Sequence, residues 1–230
     1  MFTTLRAHLV DHAFANLTDT GPTMLDKHDR DYLRLDVDKI DLSSFSLPSD
    51  YVVVTTGYTA KSREWPAKEI NKVSSWVVKQ GLTPVFLGSK IASVGYGNDI
   101  IGNFDNDVDH TVGVDLIGKT SLLEAGAILA KARAVVGVDN GLIHLAACSL
   151  VPIVVGFTNA DKRTRLPIRR GKEGWMVRSI VPENLPCSGC QTKYHYLFEA
   201  DFRECLFNDF ECTKQMTGER FIAALEEFLQ

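Results

Sequence analysis

Ala134-Val-Val-Gly-Val-Asp139-Asn140-Gly141-Leu142-Ile143-His144-Leu145-Ala146-Ala147 is the stretch on which the reading of this chain turns. It begins as a continuous apolar run, the pattern of a parallel strand buried on both faces. It breaks at Asp139-Asn140-Gly141, where Asn and Gly suit a turn and an N-cap. It resumes as a helix of small and apolar residues reaching Cys148. A strand, a tight Asx-Gly turn and a helix N-terminus set backbone N–H groups at the carboxyl edge of a sheet, an arrangement suited to phosphate. The same residues also suit an ordinary strand-to-helix connection, and a short motif alone does not separate the two.

Outward from this stretch, strands and helices alternate. Tyr51–Thr56 reads as a buried strand, and Trp65-Pro66 opens a helix with Ile70, Val73, Trp76 and Val77 on its apolar face. Pro is harmless at that position because a first-turn N–H has no helical acceptor. Gly81 ends the helix and Pro84–Gly88 forms the next strand. Ser121-Leu-Leu-Glu124 has the form of a capping box for an Ala-rich helix to Lys131. A helix over 142–149 and a strand at Ile153–Phe157 complete four or five βα units. This alternation predicts an α/β fold with a doubly wound parallel sheet. Residues 89–110 and the basic segment 158–178 read as loops.

The ends look different. Leu5, Leu9, Val10, Ala13, Phe14 and Leu17 predict an amphipathic helix over 4–17, and Leu33, Leu35 and Val37 a short extended arm. Thr217–Leu229 predicts a closing amphipathic helix. The expected division is 1–48 as a helix and arm, 49–182 as a Rossmann-like domain, and 183–230 as a cysteine-rich lobe with the closing helix.

Bulk properties narrow the function. The chain has 230 residues, 45% hydrophobic and 23% charged, with a formal net charge of −4. A mildly acidic balance gives no electrostatic footprint for nucleic acid. No apolar run is long enough for a transmembrane helix, and the first residues lack the apolar core of a secretory signal, so the expected location is the cytoplasm. Four of the five cysteines, Cys187, Cys190, Cys205 and Cys212, crowd toward the carboxyl end. A Cys-x-x-Cys pair followed by two further thiols could form a tetrahedral zinc or iron site, although the second spacing is wide. Packed free thiols or a disulfide are the alternatives, and His195 is a spare ligand.

Three loops, 55–64, 88–92 and 139–144, are expected at the carboxyl edge of the sheet, where ligands bind in doubly wound folds. Lys61 and Arg63 would bring cations to the Asn140-Gly141 turn, a combination suited to a diphosphate. Neither a P-loop nor a dinucleotide fingerprint follows any strand.

Several motifs then coincide in order. Residues 135–147 resemble the donor-site signature of the heptosyltransferase family of glycosyltransferases, Asp-Thr-Gly followed by His-Leu-Ala-Ala. Asp115–Glu124 resembles the segment upstream of that signature, and Thr55-Thr-Gly with Lys61-Ser-Arg63-Glu-Trp-Pro66 the first strand and its basic-x-Trp-Pro loop. The resemblance implies one half of a GT-B fold, the carboxyl, donor-binding domain. It implies transfer of a glycosyl group from a nucleotide-diphosphate sugar, ADP-heptose or a related ADP-sugar, to a glycan, lipid-linked or protein acceptor, as in lipopolysaccharide biosynthesis. Arg63, with Lys61 beside it, matches the basic residue at the donor phosphates. Asn140, Gly141 and Leu142 match the pyrophosphate turn, Asp139 the acid near the donor sugar and His144 the signature histidine, the last two expected at the catalytic centre. Related enzymes carry a four-cysteine iron finger, which Cys187, Cys190, Cys205 and Cys212 would match. Family members hold their catalytic base in an amino-terminal acceptor domain, of which residues 1–48 look like a remnant. A separate acceptor-domain partner or a homo-oligomer is therefore expected. A non-catalytic module for sugar-nucleotide binding or protein interaction is the rival reading.

Overall fold

The computed structural model describes residues 37–57, 61–89, 93–94, 100–101, 107–167, 176–193, 205 and 207–230. The helix expected over 4–17, most of the arm at 33–37 and His195 lie outside these residues.

Strands β1 (Tyr51–Thr55), β2 (Thr83–Leu87), β5 (Val114–Asp115), β6 (Ala134–Val138), β7 (Ile153–Gly156) and β8 (Val177–Ile180) form one sheet in the order β5-β2-β1-β6-β7-β8. Every pairing in it is parallel. A separate antiparallel ladder joins β3 (Ser93–Val94) to β4 (Ile100–Ile101). The helices are α1 (Ala67–Lys79), α2 (Leu122–Lys131), α3 (Gly141–Ala146), α4 (Lys162–Arg165), α5 (Cys190–Lys193), α6 (Glu211–Lys214) and α7 (Gly218–Leu229).

The central strands are mainly apolar because both faces are covered. Successive side chains leave opposite faces. Val52, Val54, Phe86, Ala134, Val136 and Val154 pack with α1 and α7, whereas Tyr51, Val53, Val85, Leu87, Val135, Ile153 and Val155 pack with α2 and α3. Leu42, Phe45 and Leu47, from the segment before β1, lie against the second of these cores. Ser121 caps α2 as its sequence requires: its hydroxyl accepts from the Glu124 N–H and the Glu124 carboxylate accepts from the Ser121 N–H.

The closing helix belongs to the first core. Trp65 stacks on Phe221, ring centroids 4.3 Å apart, and its indole N–H donates to the Met216 carbonyl. Buried Glu69 accepts from the Gly218 N–H at 2.7 Å, placing a carboxylate at the N-terminus of α7 where the helix dipole favours it. Gly156 has room for no side chain, because a Cβ would come 2.8 Å from Phe221 and 2.9 Å from the Met216 sulfur.

The structure corrects several boundaries. The helix expected over 142–149 is Gly141–Ala146, followed by turns. The segment 158–178, read as loop, contains helix α4 and the first two residues of β8. The polar pair Arg178-Ser179 hides β8 from an apolar-run search, since an edge strand buries less of its surface.

Candidate functional site

Strand order reverses between β1 and β6, so the carboxyl ends of these two neighbours open the crevice where doubly wound sheets bind ligands. Thr55 ends β1 and Asp139-Asn140 follows β6. Asn140 Nδ2 donates to Thr55 Oγ1 at 3.1 Å, which ties the two strand ends together. Gly137 makes this approach possible, because a Cβ there would collide with the Thr55 hydroxyl.

Asn140 is also the N-cap of α3. Its Oδ1 accepts from the Leu142 N–H at 3.0 Å and from the Ile143 N–H at 3.2 Å. The turn is expected to offer open backbone N–H groups, but those of Leu142 and Ile143 are occupied by the cap. Gly141 faces open space, with nothing within 4 Å of where a Cβ would stand.

Asp139 is the electrostatic centre. Its side chain is 6% exposed, and Oδ1 lies 3.1 Å from His144 Nε2, one turn along α3. Oδ2 is buried with no hydrogen-bond partner among the described residues, and Arg165 Nη1 stands 4.0 Å away. Burial pushes the Asp139 carboxyl upward, but the His144 hydrogen bond and the charges of Arg63, His144 and Arg165 outweigh it, leaving the group below the usual aspartate range. Burial works against the Arg63 charge; Asp139 supports it and Arg165 repels it. Two guanidiniums therefore face one carboxylate, an excess of positive charge suited to an anion.

Arg63 sits on a 3-10 turn, Lys61–Arg63, and its Nη2 donates to Gln191 Oε1 at 3.1 Å. Lys61 stands apart: its ammonium lies 5.0 Å from the Phe210 ring centroid, in the cysteine-bearing region. The structure thus brings together Arg63, Asp139, Asn140 and His144, and adds Arg165, which the sequence hid in a basic loop. Asp161 starts the short helix bearing Arg165 by capping it, accepting from the Arg163 N–H at 2.9 Å.

Cys187, Cys190, Cys205 and Cys212 line one cavity together with Ser62 and Asn159. All are free thiols. Burial, followed by the neighbouring thiols, pushes Cys212 up to about 12, and Cys190 is raised by burial and then by Cys187. A cation would reverse that penalty, so the donor set suits a thiophilic metal. Among the described residues, however, no three His, Cys, Asp or Glu side chains stand close enough together to hold an ion.

The sequence profile of glycosyltransferase family 9 (heptosyltransferase) matches residues 8–194. A search of curated protein sequences gives no match. Among solved structures, the dodecameric iron-containing heptosyltransferase TibC in complex with ADP-D-beta-D-heptose is similar with a TM-score of 0.64 at 20% identity, over 86% of this chain and 49% of that one. TibC comes from enterotoxigenic E. coli H10407. A family 9 glycosyl transferase from Veillonella parvula DSM 2008 is similar with a TM-score of 0.59 at 16% identity, over 97% and 60% of the two chains. E. coli ADP-heptose lps heptosyltransferase II gives 0.56 at 16%, over 91% and 54%. At these identities the likeness is one of fold. The chain spans about half to three-fifths of the length of these relatives. Among the described residues no helix is long and apolar enough to cross a membrane.

Proposed function

The chain belongs to glycosyltransferase family 9, the heptosyltransferases, and from that premise we propose that it is the donor-binding half of such an enzyme, taking an ADP-linked sugar, ADP-heptose or a close relative. The observation that carries this reading is the pair of guanidiniums, Arg63 and Arg165, around Asp139 at the strand-order reversal. TibC, similar in fold, holds ADP-D-beta-D-heptose.

In glycosyl transfer an acceptor hydroxyl attacks the anomeric carbon, the bond from that carbon to the diphosphate oxygen breaks, and the nucleoside diphosphate leaves with the electron pair. Charge therefore builds on the diphosphate, and fixed cations at that place lower the barrier. Arg63 and Arg165 supply the cations, and the Gly141 N–H a backbone donor beside open space. Asp139 holds the arginines and His144 in register, its buried second oxygen facing Arg165. The acceptor, a glycan, lipid-linked or protein hydroxyl, and the base that takes its proton belong to another domain or polypeptide across the cleft, possibilities that include a second copy of the chain.

The unit that binds donor runs from residue 49 to 182, with the closing helix packed beneath it. Cys187, Cys190, Cys205 and Cys212 would hold a structural zinc or iron, which would tie the carboxyl-terminal lobe together; TibC contains iron. A cytoplasmic location accords with a nucleotide-sugar donor.

Release of ADP from ADP-heptose, alone and with a candidate acceptor, tests the reading. Arg63→Ala and Arg165→Ala should each slow it by roughly tenfold or more, the loss of a charge-assisted contact of about 1.5–3 kcal/mol. Turnover unaffected by both variants removes the proposal.

A further inference from the structure

The turn that presents Arg63 meets the cysteine-bearing region at Lys61 and Arg63, and between them Ser62 meets Asn159 beside the thiol cavity. Lys61 lies over the ring of Phe210, two residues before Cys212. Buried Ser62 accepts from Asn159 Nδ2 at 2.9 Å. Arg63 donates to the side chain of Gln191, the residue after Cys190. Gln191 is itself anchored, because its backbone N–H donates to the Asn159 carbonyl at 2.9 Å. Ser62 and Asn159 also line the cavity of the four thiols.

We infer that Gln191 is a positioning residue for Arg63, so that the cysteine lobe sets where the donor-site guanidinium stands. The inference rests on the reading of Arg63 as a phosphate ligand. A guanidinium is a rigid fork of donors, and its bidentate contacts depend on orientation as well as charge. Arg63 sits in a partly buried site where its charge is disfavoured by burial. Without the Gln191 oxygen it loses an acceptor that water replaces poorly, and its fork can rotate away from the crevice. A neutral acceptor suits this task better than a carboxylate would: Gln191 orients the charge without neutralising it, leaving it for the phosphates. Coupling between two sites is reciprocal. Whatever orders Arg63 steadies α5 and its leading Cys190, and whatever displaces Cys190 loosens Arg63.

Two measurements on the full chain test the tie. The first compares ADP and adenosine affinities of wild type and Gln191→Ala. ADP binding should weaken on the order of tenfold, the worth of one hydrogen bond to a charged group. Adenosine binding should stay unchanged, because only the phosphates meet Arg63; a general loosening of the fold would weaken both. Gln191→Glu should also weaken ADP, by neutralising the Arg63 charge, while keeping the turn in place. The second follows iodoacetamide labelling of Cys190 by mass spectrometry in metal-free protein without nucleotide. Arg63→Ala should speed it several-fold, with melting temperature as the control for folding. Wild-type ADP affinity in Gln191→Ala, or Cys190 labelling unaltered by Arg63→Ala, overturns the inference. Faster labelling in a protein that binds no ADP supports the tie and removes the donor-site reading, so the two failures are distinct.

Discussion

Gly141→Val separates the crevice from the fold. Gly141 is the first residue of α3, lacks a left-handed backbone, and has nothing within 4 Å of a built Cβ. A valine there enters open space rather than neighbouring side chains. Replacing glycine with a residue that fits the native backbone restricts the unfolded chain, so stability should change by less than about 1 kcal/mol and toward stabilisation. For a chain of this size that is a melting shift of about 2–4 °C at most. The branched side chain would occupy the space through which a phosphate approaches the Gly141 N–H. Loss of one charge-assisted hydrogen bond, about 1.5–3 kcal/mol, corresponds to a Kd weakened roughly 10- to 150-fold. Isothermal titration with ADP, beside a thermal melt, reads both quantities. A wild-type Kd in a well-folded Gly141→Val protein would falsify the placement of the diphosphate at this turn.

Other substitutions probe the remaining parts. Arg165→Ala should weaken ADP about tenfold while barely altering the melt, because its one ion pair among the described residues is 4.0 Å long; unchanged affinity would remove it from the donor site. Asp139 titrates below the usual aspartate range in the folded protein, so its contribution to stability is complete above about pH 5 and is lost as pH falls below about 4. Urea midpoints measured against pH should show an acid-side slope that is shallower in Asp139→Asn, and equal slopes would contradict the assignment. Gly156→Val should cost about 1–3 kcal/mol by driving Phe221 and Met216 away from the sheet, seen as a lowered urea midpoint; an unaltered midpoint would mean that α7 is not seated there. Chelation of a metal-loaded preparation should lower the melting temperature and raise thiol titre, and Cys187→Ser/Cys190→Ser protein should carry no stoichiometric zinc or iron. Metal content equal to wild type in that variant would rule out the proposed cysteine site.

Much of the fold was legible because its signals are local. The runs at 51–54 and 134–138 are apolar without interruption, which only a strand covered on both faces requires. Ser121 and Glu124 announce the start of α2 through a reciprocal hydrogen-bond pair that needs just those residues three apart. The edge strand β8 carried no such mark, since its central Arg178 and Ser179 remain partly exposed. Of the candidate site residues, Asp139 and Asn140 were legible because strand ends and helix caps have sequence signatures, whereas Arg63 was read from the resemblance of its basic-x-Trp-Pro loop. Arg165 was hidden among neighbouring basic residues, and only the Asp161 cap and the path of the chain after β7 bring it to Asp139. Lys61 shows the converse: it is two residues from Arg63, yet its cation rests on an aromatic ring that the sequence places 149 positions away. Trp65 likewise reads as part of a ligand loop but serves as the contact between that loop and the closing helix. Gln191 has no sequence signal at all, because a lone glutamine beside a cysteine acquires meaning only from the arginine opposite it.

The central claim is that the crevice between β1 and β6 receives a nucleotide diphosphate. Equilibrium titration of the intact chain with ADP and ADP-heptose, beside Arg63→Ala, tests it most directly. The account predicts saturable binding of both ligands, weakened roughly tenfold or more when the guanidinium is removed. No binding at millimolar concentration, or an affinity indifferent to Arg63, would contradict it.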